Sequence, residues 1–258
     1  MSTQHMVGWR GRGLALDMLE YLEFWGAAKV ALRLGAPGAV LGVSGRGAAL
    51  SVAGGPEPPA WWYRAAVGDP GTAPERAVGV RTTPLVTALA HAGPPSRVMG
   101  RRVHVSVAGD AVRLEGPNGV AEVRGREEPP GADAPAGCGP AVAEFRVSLP
   151  ELTTAVQYLP GDEAELHLVG EPGEAEWELR VVTERGDVAA RLAARMLGPG
   201  RRAVARYSTD VLSAFLSVSK LQHTTLRFEG SLDAPALRAP EYGVFWGRQA
   251  EFCAQPLV

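Results

Sequence analysis

Apolar residues along the chain switch repeatedly between a helical spacing and strict alternation. In LALDMLEYLEFW, Leu14, Met18, Leu19, Leu22 and Trp25 recur at helical intervals with carboxylates on the other face, which predicts an amphipathic helix. A short strand-like Val7-Gly8-Trp9-Arg10 precedes it. The runs KVALRL, AVLGV, ALSVA and WWYRAAV follow, bounded by Gly and Pro, and predict strands. ERAVGVRTTPLVTALAHAG reads as strand then helix, with Thr82 or Thr83 as N-cap, Pro84 as first helical residue and Gly93 as the stop. RVHVSVAG, DAVRLEG and VAEVRG close the half as strands.

The second half repeats the order. AVAEFRVS predicts a strand, LPELTTAVQYL a short helix, and EAELHLVG, EAEWELRVV and DVAARLAAR three strands. RAVARYS predicts a strand, STDVLSAFLSVS a helix, and TTLRFEG, PALRA, GVFWG and QAEFCAQ the closing strands. The chain thus reads as four copies of one β-α-β-β-β unit, paired into two similar domains, an α+β arrangement with helices on one face of antiparallel sheets. GREEPPGADAPAGCGPAV interrupts the pattern near the midpoint with Pro, Gly and Ala, a connector composition. The domains expected are 1–126 and 141–258, joined by a connector over 127–140.

Composition adds a caution and two exclusions. The 258 residues include no isoleucine, one asparagine (Asn118) and two lysines (Lys29, Lys220). That is the mark of GC-rich codon usage, so an individual Arg or Ala carries little meaning by itself. Twenty-six basic against 28 acidic residues give a net charge of −2, which excludes a globally basic nucleic-acid binder. No apolar run reaches the ~20 residues of a membrane helix, and the first residues lack the apolar core of a signal peptide, so a soluble intracellular protein is expected.

Candidate chemistry is sparse. His5, His91, His104, His167 and His223 have neither the i, i+4 spacing of a helical metal pair nor a cysteine pair nearby. Gly42-Val43-Ser44-Gly45 misses the nucleophile-elbow pattern because Arg46 separates Gly45 from Gly47. Glu163, Glu165, Glu174, Glu176 and Glu178 alternate along strands as solvent-facing positions do. No catalytic residue, metal site or cofactor is assigned. An unrelated α+β enzyme is the third and weakest reading.

At residues 207–258 the chain resembles proliferating cell nuclear antigen, the sliding clamp of eukaryotes and archaea. Leu212, Phe215 and Leu221 in a helix, then Ser231, Asp233 and Pro235, then Phe252, Ala254 and Leu257 in the tail carry the likeness, and Met18-Leu19-Glu20-Tyr21-Leu22 is similar to the clamp's first helix. The resemblance implies a ring-forming DNA clamp fold with helices lining the hole. It implies a polymerase processivity factor that encircles double-stranded DNA without reading its sequence, as a homotrimer or a heteromeric ring. Its partners would be DNA polymerase, other clamp-binding peptides and a clamp loader, with no membrane. It would act in the nucleus of a eukaryote or nuclear-replicating virus, otherwise in the cytoplasm.

By position, the resemblance places the partner pocket at Val43, Leu50, Pro235, Phe252, Ala254 and Leu257. It places the subunit contacts at Val112, Leu114, Trp177 and Leu179. The four predicted helices carry Asp17, Glu20, Glu23, Glu151 and Asp210 but few bases, so the DNA-facing set falls on Arg10, Arg12, Arg81 and Lys220 beside them. The connector also lacks large apolar residues. These departures favour, as the alternative, a clamp-derived scaffold with little direct DNA contact: a heteromeric checkpoint-type subunit or a viral replication or transcription factor.

Overall fold

The computed structural model describes residues 14–16, 18–44, 47–54, 60–68, 76–93, 103–129, 139–218, 222–240 and 250–257. The chain divides into two compact units, one of residues 1–54 and 63–135, the other of 55–62 and 136–258.

Unit 1 contains β1 (Leu14–Leu16), α1 (Met18–Arg33), β2 (Gly38–Val43), β3 (Gly47–Gly54), β4 (Trp61–Gly68, its first two residues counted with unit 2) and β5 (Arg76–Arg81). It continues with α2 (Thr82–Ala92), β6 (Val103–Ala108), β7 (Ala111–Gly116), β8 (Gly119–Arg124) and β9 (Arg126–Glu128). Its strands pair in the orders β1-β6-β7-β8 and β5-β2-β3-β4, with β9 added beside β5.

Unit 2 contains β10 (Ala141–Ser148), α3 (Leu149–Gln157), β11 (Glu163–Val169), β12 (Glu176–Thr183), β13 (Val188–Met196), β14 (Ala203–Ser208), α4 (Thr209–Val218), β15 (His223–Gly230), β16 (Pro235–Ala239) and β17 (Ala250–Ala254). Its orders are β10-β15-β16-β17 and β14-β11-β12-β13. Taken by position within the unit, these are the same two orders as in unit 1. The duplication predicted from the sequence is therefore a duplication of topology.

Alternation explains the strands. In β11 the side chains of Ala164, Leu166 and Leu168 are buried while Glu163, Glu165 and His167 face out, as a sheet with one covered face requires. In each unit the two helices pack together. In unit 2 they bury Leu149, Leu152 and Val156 from one side and Leu212, Phe215 and Leu216 from the other. Phe145 and Phe228 meet edge to face beneath them at 5.3 Å.

Four expectations are corrected. Leu14–Leu16 pair antiparallel with β6 instead of opening the helix, while Val7–Arg10 lies outside the described residues. KVALRL is the end of α1, not a strand. Buried Ala27, Ala28, Val30 and Ala31 keep the helical face going. A Schellman turn then ends it: Gly35 takes φ +67°, its N–H bonds Leu32 O at 3.2 Å, and Ala36 N–H bonds Ala31 O at 2.8 Å. Thr82 is the first helical residue of α2, with Arg81 at the cap position, and its hydroxyl donates to Ala36 O at 2.9 Å.

The fourth correction concerns the edges. Val112 and Leu114 lie on β7, between β6 and β8, and Trp177 and Leu179 lie on β12, between β11 and β13. All four side chains are buried in their own unit. Neither strand has a backbone side to offer a second chain.

Candidate functional site

The predicted pocket residues are mostly core. Val43 and Leu50 are buried in unit 1. Phe252 stacks on Phe215 of α4 with ring centroids 4.3 Å apart, and Ala254 and Pro235 are buried too. A residue that fills its own core cannot also receive a partner's side chain, so these five leave the candidate site. Leu257 stays, at 39 % exposed.

What surrounds Leu257 was missed by sequence reasoning. Its N–H bonds Arg206 O of β14 at 2.7 Å, and Val204 N–H of the same strand bonds Leu232 O at 3.4 Å. The tail and the 231–234 turn are thereby laid along one side of β14. Val204 (40 %) and Leu232 (37 %) are as exposed as Leu257. Residues two apart on a strand stand about 6.6 Å apart, so the backbone bonds at Val204 and Arg206 line up three exposed apolar residues in a strip beside the ion-paired Arg206. Tyr207, next along β14 and facing the core, donates to Pro235 O at 2.7 Å and fixes the turn's position. Burial, and secondarily Cys253, push its phenol well above the ordinary 10.0.

The outer face of this sheet is charged but self-neutralised. Arg206 reaches Glu163 at 3.3 Å and Glu165 at 3.0 Å, and His167 lies 2.9 Å from Glu165. The bond to His167, followed by Arg206, holds the Glu165 carboxyl below its usual range. His91, His104 and His223 are exposed, and His5 lies outside the described residues. Among the described residues, no three His, Cys, Asp or Glu side chains stand where they could hold a metal ion. Ser44 is buried in a turn, its hydroxyl bonded to Gly47 O at 3.2 Å and accepting from Gly47 N–H at 3.0 Å.

Of the expected DNA-facing residues, Arg81 is exposed at the mouth of α2. Arg10, Arg12 and Lys220 lie outside the described residues. Extending α1 to Arg33 changes the helix charge: Lys29 and Arg33, both exposed, now balance Glu20 and Glu23. Lys29 sits over the Trp25 ring at 5.5 Å, and Trp25 stacks near Tyr21 at 6.3 Å. The helices of unit 2 gain nothing comparable, with Glu151 on α3 and Asp210 on α4 and no base on either.

Among the described strands, β1, β8 and β9 end their sheets in unit 1. In unit 2, β13 pairs with β12 throughout but with β10 only at Arg195 and Met196. The order β5-β2-β3-β4 beside β1-β6-β7-β8, used twice, with a helix pair on each, is the architecture of the DNA clamps.

Comparison with solved structures agrees. The chain is similar to the DNA polymerase III beta subunit of Thermotoga maritima, with a TM-score of 0.63 and 14 % identity over 96 % of this chain and 66 % of that one. It is also similar to the DNA polymerase sliding clamp of Caulobacter crescentus, with a TM-score of 0.60 and 13 % identity over 95 % and 65 %. The chain therefore spans just under two thirds of the length of these bacterial clamps. No family model matches the sequence, and no curated protein matches it. At such identities the likeness establishes the fold: this is a two-unit chain of the sliding-clamp fold, strongly diverged in sequence.

Proposed function

We propose that the chain is a subunit of a DNA sliding clamp, a non-enzymatic processivity factor that encircles double-stranded DNA and tethers a DNA polymerase to it. The observation that carries this reading is the doubled strand order, which matches clamp chains over nearly the whole of this one. A clamp works by topology, so it needs little affinity for phosphate. That suits helices whose formal charge is close to neutral in unit 1 and slightly acidic in unit 2. The bases that steer DNA in this reading are Lys29 and Arg33, with Arg81, Arg10, Arg12 and Lys220 beside the helices.

Partner peptides, from a polymerase or from other replication and repair proteins, dock on the strip of Val204, Leu232 and Leu257. The tail and the turn already take up the backbone side of β14, so the peptide is held by seating its apolar side chains on these exposed residues. A clamp loader opens the ring, and the protein works wherever its host handles DNA, in nucleus or cytoplasm. Among the described residues no helix is long and apolar enough to cross a membrane.

The test is retention on DNA. Protein loaded on a nicked circle stays bound through a salt wash and slides off once the circle is linearised. Equal loss from circle and linear DNA overturns the reading. A second reading, a scaffold subunit of a mixed ring with little DNA contact, is favoured by one observation: α3 and α4 carry Glu151 and Asp210 and no base.

A further inference from the structure

Unit 2 carries seven arginines on its strands, and five of them meet an acid. Arg206, Arg227 and Arg238 reach Glu165, Glu144 and Glu251 at 3.0, 3.2 and 2.7 Å, and Arg180 and Arg191 share Glu178. Arg146 on β10 and Arg195 on β13 are exposed. Among the described residues neither of these two forms an ion pair.

The two face each other. Arg146 and Arg195 are direct partners in the ladder between β10 and β13, whose one other pair, among the described residues, is Phe145 with Met196. At this ladder the order β14-β11-β12-β13 joins β10-β15-β16-β17. The seam of unit 2 thus has an apolar pair on its inward side and a like-charge pair on its wet side, with α-carbons about 4.5–5.5 Å apart. Like charges set directly opposite repel. Arginine-rich codon usage supplies the residues. It does not explain why acids stand against five arginines and not against these two.

The neighbouring positions leave the spot open. Ser148, the next outward residue on β10, and Ala193, the next on β13, are small. Thr225 stands across from Arg146 on β15 and brings a hydroxyl to the same face. Glu176 stands across from Arg195 on β12, exposed and without an ion pair to it. One acid against two bases leaves the row an excess of positive charge.

A carboxylate has two oxygens and one charge, which a single guanidinium fork satisfies. Two forks side by side suit a tetrahedral group with more oxygens and two charges. We propose that Arg146, Arg195 and the Thr225 hydroxyl bind a phosphate dianion, either inorganic phosphate or the monoester of a small ligand. Both guanidiniums donate to its oxygens, so the bound anion turns a repulsion into two attractions and ties the sheets of unit 2 at their seam. The site is separate from the apolar strip beside β14, and it needs neither a ring nor DNA.

Phosphate titration of the intact protein tests this by calorimetry and by melting temperature, at constant ionic strength with chloride as the balancing anion. The expected wild type binds a single phosphate and melts higher as the site fills. Arg146→Gln and Arg195→Gln should each weaken binding about tenfold or more. Arg146→Lys, which keeps the charge without the fork, should fall between. In chloride alone both Gln variants should melt no lower than the wild type, because each removes a repulsion. Phenyl phosphate that binds at least as tightly as inorganic phosphate identifies a monoester as the ligand, and weaker binding identifies the free anion; both uphold the site. Absence of phosphate binding above the chloride background overturns the proposal, as does binding that persists in both Gln variants. Gln variants that melt lower in chloride would give the arginines a structural role and overturn it too. So would dimethyl phosphate that matches phosphate, or a duplex without terminal phosphates that displaces it, since either outcome makes the pair a nucleic-acid backbone contact.

Discussion

Unit 1 folds its longest helix from sixteen residues and places Lys29 and Arg33 on the last turns. Unit 2, with the same strand order, makes its helices from nine and ten residues and gives them only acids. Unit 2 in turn lines its outer strands with several ion pairs, where unit 1 pairs Arg113 with Glu115 on β7, and it holds the tail against β14. The comparison separates what was duplicated from what was not. Hydrophobic alternation and helical spacing rebuild the same architecture twice, because burial is satisfied by any apolar residue of suitable size. Charge and docking surface are free to diverge, and each unit has taken a different one.

The largest effect should come from crossing core and surface within unit 2. Phe252→Ala removes a ring fully buried against Phe215, and a loss of about 3–5 kcal/mol in urea unfolding is expected. Leu257→Ala, at the exposed strip, should stay within about 0.5 kcal/mol while weakening capture of a clamp-binding peptide. A Phe252 variant with wild-type stability would move that ring out of the core and back to the docking surface.

The asymmetry of the helices gives the next effect. Lys29→Glu with Arg33→Glu should lower DNA affinity in low salt and flatten the salt dependence by about one unit of slope per base. Exchanging Glu151 and Asp210 for lysine should raise affinity. Equal, small effects from both pairs would mean that the two helix faces meet DNA alike or not at all.

Much of this architecture can be read from the sequence, and the failures share a cause. The strands of unit 2 are plain because EAELHLV and VAARLAARM expose one face and bury the other. KVALRL misled because Val30, Leu32 and Leu34 alternate locally while the helical stripe of Ala27, Val30 and Ala31 uses small residues. Gly35, free to take positive φ, was the available stop signal. Edge and interior strands cannot be told apart by alternation, since both have one buried face. That is why β7 and β12 read as edges although both lie inside their sheets. The pocket was misplaced for a related reason: Phe252 and Leu257 are equally apolar, and only packing distinguishes a filled core from a surface waiting to be covered. The strip itself depends on backbone bonds from Leu257 and Val204 that join segments distant in sequence.

Smaller effects probe how unit 2 fixes its strip. Tyr207→Phe leaves Pro235 O without its buried donor, a cost of about 1–1.5 kcal/mol at neutral pH. The same phenol sets an alkaline limit. Its folded pKa is raised, so the unfolded chain releases the proton first, and stability present below pH 10.0 declines as pH rises above it. The Phe variant should lose that part of the decline. At the other end, Glu165 titrates below the usual 4.5 in the folded chain. Its contribution is present above that value and fades as pH falls through the folded pKa. The pair is partly exposed and the effect correspondingly slight. His167→Gln should reduce the acid sensitivity, read as a small change in the slope of stability against pH.

The central claim is that a doubled clamp unit of this chain encloses DNA. Single-molecule or bead-bound retention on a circular duplex, before and after one restriction cut, addresses it most directly. The account predicts long retention on the closed circle in moderate salt and rapid loss from the free ends after cutting. Loss at the same rate from both forms would contradict it.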